Sequence, residues 1–132
     1  MLSIREQYHL VQTENQLELF LDTLDAVECD DKTPYLASAI MRKAEFTSWP
    51  LKKISYFKEG KNMLEDFILK HPKHLEARYV RVLTQHSIPK FLGYSSNIDE
   101  DLQFINTHLE TAELPENYKL QISETIKQIT TH

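Results

Sequence analysis

The sequence predicts an all-α protein of six or seven helices in antiparallel pairs. Three observations carry that prediction. The 132 residues include only two glycines, which leaves few places for tight hairpin turns. Apolar residues recur at i, i+3, i+4 and i+7 rather than in alternation. The prolines stand where helices would start or stop: Pro34 after Thr33, Pro50 after Ser48 and Trp49, and Pro72 and Pro89 after long periodic runs.

A short helix is expected over Ser3–Gln12, where Ile4, Tyr8 and Val11 share a face. In the second helix Leu17, Phe20, Leu21, Leu24 and Val27 form the apolar stripe, Glu18, Asp22 and Asp25 face outward, and the acidic ECDDK ends it. Thr33 before Pro34 marks the third start, because a hydroxyl can accept from an orphan amide and proline suits the first turn. That helix runs to about Thr47, and Ala37, Ser38, Ala39 and Ala44 let a neighbour come close. Ser48 then caps the fourth and longest helix, which places Ile54, Phe57, Leu64, Phe67 and Ile68 on one face, pairs Asp66 with Lys70, and stops at Pro72. Gly60 within it costs about 1 kcal/mol relative to alanine in an exposed helix, so it predicts a close helix crossing.

The fifth helix, from about His74 to Ser87, buries Leu75, Tyr79, Val82, Leu83 and His86, with Arg78, Arg81 and Gln85 one turn apart on another side. Pro89 disfavours helix at Ile88 and Gly93 offers a positive φ, so Pro89 to Tyr94 is an apolar loop. Asn97 with Glu100 reads as a capping box, and Asp99, Glu100 and Asp101 complement the dipole of the helix that follows, whose buried side is Leu102, Ile105 and Leu109. The last helix starts near Pro115 and carries Tyr118, Ile122, Ile126 and Ile129. Helix starts near Pro34, His74 and Pro115 give a period of about 40 residues, the interval of paired-helix arrays. A single helical domain over residues 1–132 is expected.

Composition excludes several classes. Hydrophobic residues at 41% and charged residues at 27% are ordinary for a soluble globular chain. Fifteen Lys and Arg against twenty Asp and Glu give a formal charge of -5, which repels a phosphate backbone unless the basic residues are segregated. Their densest run, Lys52, Lys53, Lys58 and Lys61, is interrupted by Glu59 and lacks an aromatic ladder, so no nucleic-acid partner is expected. A lone Cys29 excludes an internal disulfide and a cysteine-based metal cluster, as in a reducing compartment. The opening MLSIREQYHL has charge and no apolar run, and no stretch approaches a membrane span, so the expectation is a cytoplasmic protein without a membrane partner.

The chemistry on offer is sparse. His71, His74 and Glu76 form the only local cluster of metal-ligand types, and Pro72 separates the two histidines across a helix break, so no metal is expected. GxSxG, HExxH, Walker and GxGxxG motifs are all missing, which predicts a non-enzymatic role without a cofactor. Glu76, Arg78 and Arg81 together with Asp99, Glu100 and Asp101 have two readings. If the sixth helix packs beside the fifth, an arginine reaches Asp101 or the loop carbonyls and holds the loop in place; otherwise Arg78 and Arg81 form a small-ligand or anion site. Phe91, Leu92 and Tyr94 either fold inward as a cap on the core or present an exposed docking patch, and Trp49 and Tyr56 carry the same two readings.

The run from Tyr56 to Ile105 resembles an uncharacterised family of small bacterial all-helical proteins with a tetratricopeptide-like pattern. The residues that carry the resemblance are Tyr56, Gly60, Leu64, Pro72, the E-x-R-x-x-R set Glu76, Arg78 and Arg81, the PxFLGY run Pro89, Phe91, Leu92, Gly93 and Tyr94, and Asp101. It implies a tetratricopeptide-like short array or an irregular bundle, and no activity or cofactor. The Trp, Leu-Gly and Tyr signature of ordinary tetratricopeptide repeats is missing and the period exceeds their usual ~34 residues, so their peptide groove is not among its implications. The expected function is a protein–protein interaction or scaffold module with an unidentified protein partner, and Glu76, Arg78, Arg81, Phe91, Leu92, Tyr94 and Asp101 are its candidate interaction or structural residues.

Overall fold

The computed structural model describes residues 2–131, which form seven α-helices and no strand. The helices are α1 (Leu2–Leu10), α2 (Glu14–Asp25), α3 (Thr33–Arg42), α4 (Pro50–Lys70), α5 (Leu75–Ser87), α6 (Ile98–His108) and α7 (Glu116–Thr130), with 3-10 turns at Asp30–Lys32, Lys43–Phe46 and Lys90–Leu92. No helix among the described residues is long and apolar enough to cross a membrane. The chain divides into two compact units, Met1–Pro72 and Lys73–His132.

In the first unit the expected apolar stripes meet. Ile4, Tyr8 and Val11 of α1 and its exit, Leu17, Phe20 and Leu24 of α2, and Tyr35, Ala37 and Ile40 of α3 are all buried. The Tyr8 ring stands edge-on to Tyr35 at 5.1 Å, and its hydroxyl shares a hydrogen bond of 3.1 Å with Ser38. Helix α2 starts on a capping box that the sequence reading overlooked: Thr13 Oγ1 accepts from the Gln16 amide at 3.2 Å, and Gln16 Oε1 accepts from the Thr13 amide at 3.1 Å. Its other end is closed by Lys32, whose ammonium donates to the carbonyls of Leu24 and Val27.

Both hydroxyl caps expected before prolines are corrected. The turn Asp30–Lys32 runs directly into α3, so Lys32 is the N-cap residue and Thr33 is already helical. At α4 the N-cap is Trp49 rather than Ser48, and Thr47 Oγ1 accepts from the Trp49 amide at 3.3 Å. The third helix also ends sooner than Thr47, tightening to 3-10 geometry from Lys43 to Phe46.

Helices α3 and α4 pack against each other, and Gly60 sits at a close approach between them. A Cβ at Gly60 would stand 2.5 Å from both the Ala37 carbonyl oxygen and Met41 Cγ. Phe57, Leu64, Phe67 and Ile68 are buried as the spacing predicts, but Ile54 is 47% exposed. The reason is length: α3 has 10 residues and α4 has 21, so α3 cannot cover both ends of its partner. Asp66 and Lys70 pair at 3.1 Å on the solvent side.

His9, at the end of α1, lies edge-on to Tyr8 with ring centroids 5.3 Å apart. Burial holds its imidazole below the ordinary value of 6.5 by penalising the charged form. The folded state therefore resists a proton that the unfolded chain accepts near 6.5, so the stability present above that value is lost as pH falls through it toward the lowered folded value. Thermal unfolding at pH 7.5 and 5.5 checks this: acidification should lower the midpoint less in His9→Gln than in the wild type.

In the second unit α5, α6 and α7 enclose one apolar cluster of Leu75, Tyr79, Val82, Ile105, Tyr118, Ile122 and Ile126. Tyr79 and Tyr118 meet edge to face, with ring centroids 6.2 Å apart at 89°. His86, expected inside, is exposed in the last turn of α5. Helix α5 is capped by His74, whose Nδ1 accepts from the Ala77 amide at 3.1 Å. Ala37 and Ala77, which occupy matching places forty residues apart in sequence, are both fully buried.

Candidate functional site

The densest polar structure of the second unit forms where α5 and α6 pack together. Arg78, Arg81 and Gln85 follow one another at a helical turn's spacing along α5, and Asp101 lies in the first turn of α6. Arg81 grips Asp101 with a two-bond fork: Nε donates to Oδ2 at 2.6 Å and Nη2 donates to Oδ1 at 2.8 Å. Arg78 Nη1 donates to the same Oδ1 at 3.1 Å and to Glu100 Oε1 at 3.1 Å. Its guanidinium also lies over the Phe104 ring at 4.6 Å.

The side chain of Asp101 is fully buried and that of Arg81 is 4% exposed, whereas Glu100 is open to solvent. The two guanidiniums thus pair with Asp101 and, in the case of Arg78, with Glu100 as well. A buried charge is tolerable only when paired and fully hydrogen-bonded. That condition is met: no buried side-chain nitrogen or oxygen among the described residues lacks a hydrogen-bond partner.

Gln85 extends the polar row into the loop. Its Nε2 donates to Asn97 Oδ1 at 3.0 Å, and its Oε1 accepts from the Asn97 amide at 3.0 Å. Asn97 occupies the N-cap position of α6 without a side-chain capping bond, which corrects the expected capping box. Its side chain is committed across to α5 instead. The clue in the sequence is Gln85 itself, one turn beyond Arg81 on the same side.

The loop between α5 and α6 separates the three candidate apolar residues. After Pro89 a 3-10 turn covers Lys90–Leu92, and Gly93 follows at φ 70°, a left-handed conformation that favours glycine. Tyr94 turns inward and is 4% exposed, Leu92 is half-buried, and Phe91 points out at 86% exposure. Tyr94 is therefore an anchor and Phe91 a knob.

Glu76 lies on another part of the same helix. It is buried in the first turn of α5, five residues before Arg81 and so about 140° around the helix from it, where a carboxylate complements the positive end of the dipole. Of the three residues read as possible metal-ligand types, His74 caps α5 and His71 packs its ring 4.6 Å from Phe67. No group of three His, Cys, Asp or Glu side chains among the described residues is arranged to hold a metal. Trp49 is 68% exposed, and Tyr56 is half-buried under the Lys43 ammonium at 5.2 Å. No protein-family model, no curated protein and no solved structure matches this chain.

Proposed function

We propose that the chain is a non-enzymatic protein–protein interaction module of the cytoplasm, and that Phe91 is the contact its second unit offers a partner. The observation that carries this reading is the 86% exposure of Phe91 on a loop fastened just after it. Tyr94 anchors the loop in the core and the Gln85–Asn97 bonds tie its far end to α5. An aromatic side chain presented on an ordered turn loses little freedom on binding, which favours it as an interface anchor.

The alternative use of this region, a small-ligand or anion site on Arg78 and Arg81, has less support. Both guanidiniums already bond Asp101, and an incoming anion would have to displace a carboxylate that is fully buried. Such an exchange would leave Asp101 uncompensated in a low-dielectric site.

The test is a comparison of Phe91→Ala with the wild type by affinity capture and mass spectrometry. The expected outcome is loss of specific partners with an unchanged unfolding midpoint, since a largely exposed ring contributes little to the fold. Recovery of the same partners by both proteins would refute the assignment.

A further inference from the structure

Two patches of the first unit complement one another, and both are open to solvent. One is the tip of α4, where Trp49, Leu51 and Ile54 are 68%, 82% and 47% exposed and Lys52 and Lys58 stand exposed among them. The other is a groove of about 590 Å³ between α1 and α2. Its rim carries Leu10 and Leu19, 68% and 65% exposed, and Asp22 and Thr23 also line it. Charge is divided in the same sense. Residues 14–31 hold seven carboxylates and no lysine or arginine, whereas residues 42–61 hold six basic side chains against Glu45 and Glu59. Glu18 and Asp22, exposed one turn apart on α2, border Leu19.

We propose that the α4 tip of one copy docks in the α1–α2 groove of a second copy, with Trp49 and Leu51 against Leu10 and Leu19 and with Lys52 and Lys58 facing Asp22 and Glu18. An apolar knob with basic flanks then meets an apolar groove with an acidic border, which is the complementarity that selects a partner and its register. A second copy uses both patches at once. An anionic surface would engage the tip alone and would be repelled by the carboxylate-rich stretch of the same unit and by the net charge of -5.

A tip of one copy entering the groove of the next is a head-to-tail contact unless the two patches engage reciprocally about a two-fold axis. Each copy offers a tip and a groove, and assemblies grow unless the rotation closes a ring. The contact centres on a few apolar side chains, which places it at the small, transient end of interfaces. It involves neither Phe91 nor the second unit and stands apart from the function proposed above.

Sedimentation velocity of the full chain from about 10 µM to about 1 mM at low salt should show a rising average mass, as a small interface requires. The rise should reverse in about 0.5 M salt, where charge pairing is screened. Trp49 is the only tryptophan, so its emission should move to shorter wavelength over the same concentration range. Leu51→Glu removes the tip and Leu19→Lys removes the groove; both positions are exposed, so helical content should not change. Each variant alone should be monomeric. Their mixture should form a one-to-one pair and nothing larger, because one intact tip meets one intact groove. Phe91→Ala should associate like the wild type. The proposal is overturned by a wild type that stays monomeric at the highest concentration, by either variant associating as well as the wild type, by a mixture that does not pair, or by Trp49 emission that shifts only with anionic vesicles.

Discussion

Asp101→Ala is expected to destabilise the second unit by about 3–5 kcal/mol, the cost of leaving a buried charge without its partner. Arg81, 4% exposed, loses both bonds of its fork to Asp101 while its charge stays buried. Arg78 loses one of its carboxylates but keeps Glu100 and the Phe104 face, so its contribution to the loss is smaller. A loss of that size should lower the thermal midpoint by more than about 10 °C in a unit of this length. Arg81→Met should be costly too, since it takes both bonds of the fork from Asp101 and leaves that buried carboxylate only the Arg78 contact at 3.1 Å. The double variant Arg81→Met, Asp101→Leu should recover most of the loss, because a buried ion pair replaced by apolar groups of similar volume is often neutral. Calorimetry on the three proteins decides the matter, and a double variant as unstable as Asp101→Ala would show that the pair holds more than its own charges.

Gly60→Ala should destabilise the first unit by about 1–3 kcal/mol, the usual cost of overpacking a filled contact. Helix propensity alone predicts the opposite, a gain of about 1 kcal/mol from replacing glycine within a helix. Packing prevails because one of the two atoms in the way is the Ala37 carbonyl oxygen, 2.5 Å from the new methyl group, and backbone cannot turn aside as a side chain can. Met41 Cγ, at the same distance, can move. Denaturant unfolding of Gly60→Ala tests the balance; a stabilised variant would mean that α3 and α4 separate at little cost.

The positions where the sequence speaks clearly are those where one physical term prevails. Gly60 has few justifications inside a long periodic helix, so a close crossing follows almost directly. The seven helices follow from apolar spacing, because burying a stripe outweighs the weak preferences of individual residues. The helix starts are harder. Thr33 and Ser48 both precede prolines with apparent capping chemistry, yet each outcome depends on the backbone of the neighbouring residues, which a 3-10 turn takes over at Lys32 and an extended Trp49 at α4.

Asn97 misleads for a related reason: its side chain can bond its own helix or Gln85, and the choice is made by the approach of α5. Phe91 and Tyr94 look alike in composition, and a loop has no period to sort them. Gly93 does the sorting, since its left-handed turn lies between one ring sent outward and the other sent inward. The α1–α2 groove lies in no motif at all, because Leu10 and Leu19 stand beside apolar residues, Tyr8, Val11, Leu17 and Phe20, that are buried.

The fork between Arg81 and Asp101 also bears on the rates at which the second unit forms and opens. The two residues are only 20 apart in the chain, so bringing them together costs little loop entropy. Stripping water from both charges is the slow part, and it is compensated only once α5 and α6 have closed around them. Their interaction thus belongs after the main barrier, and its removal should chiefly accelerate unfolding while leaving refolding nearly unchanged. The pair acts as a latch on a hairpin that has already formed, setting how long the α5–α6 corner and the Phe91 loop stay shut rather than how quickly they assemble.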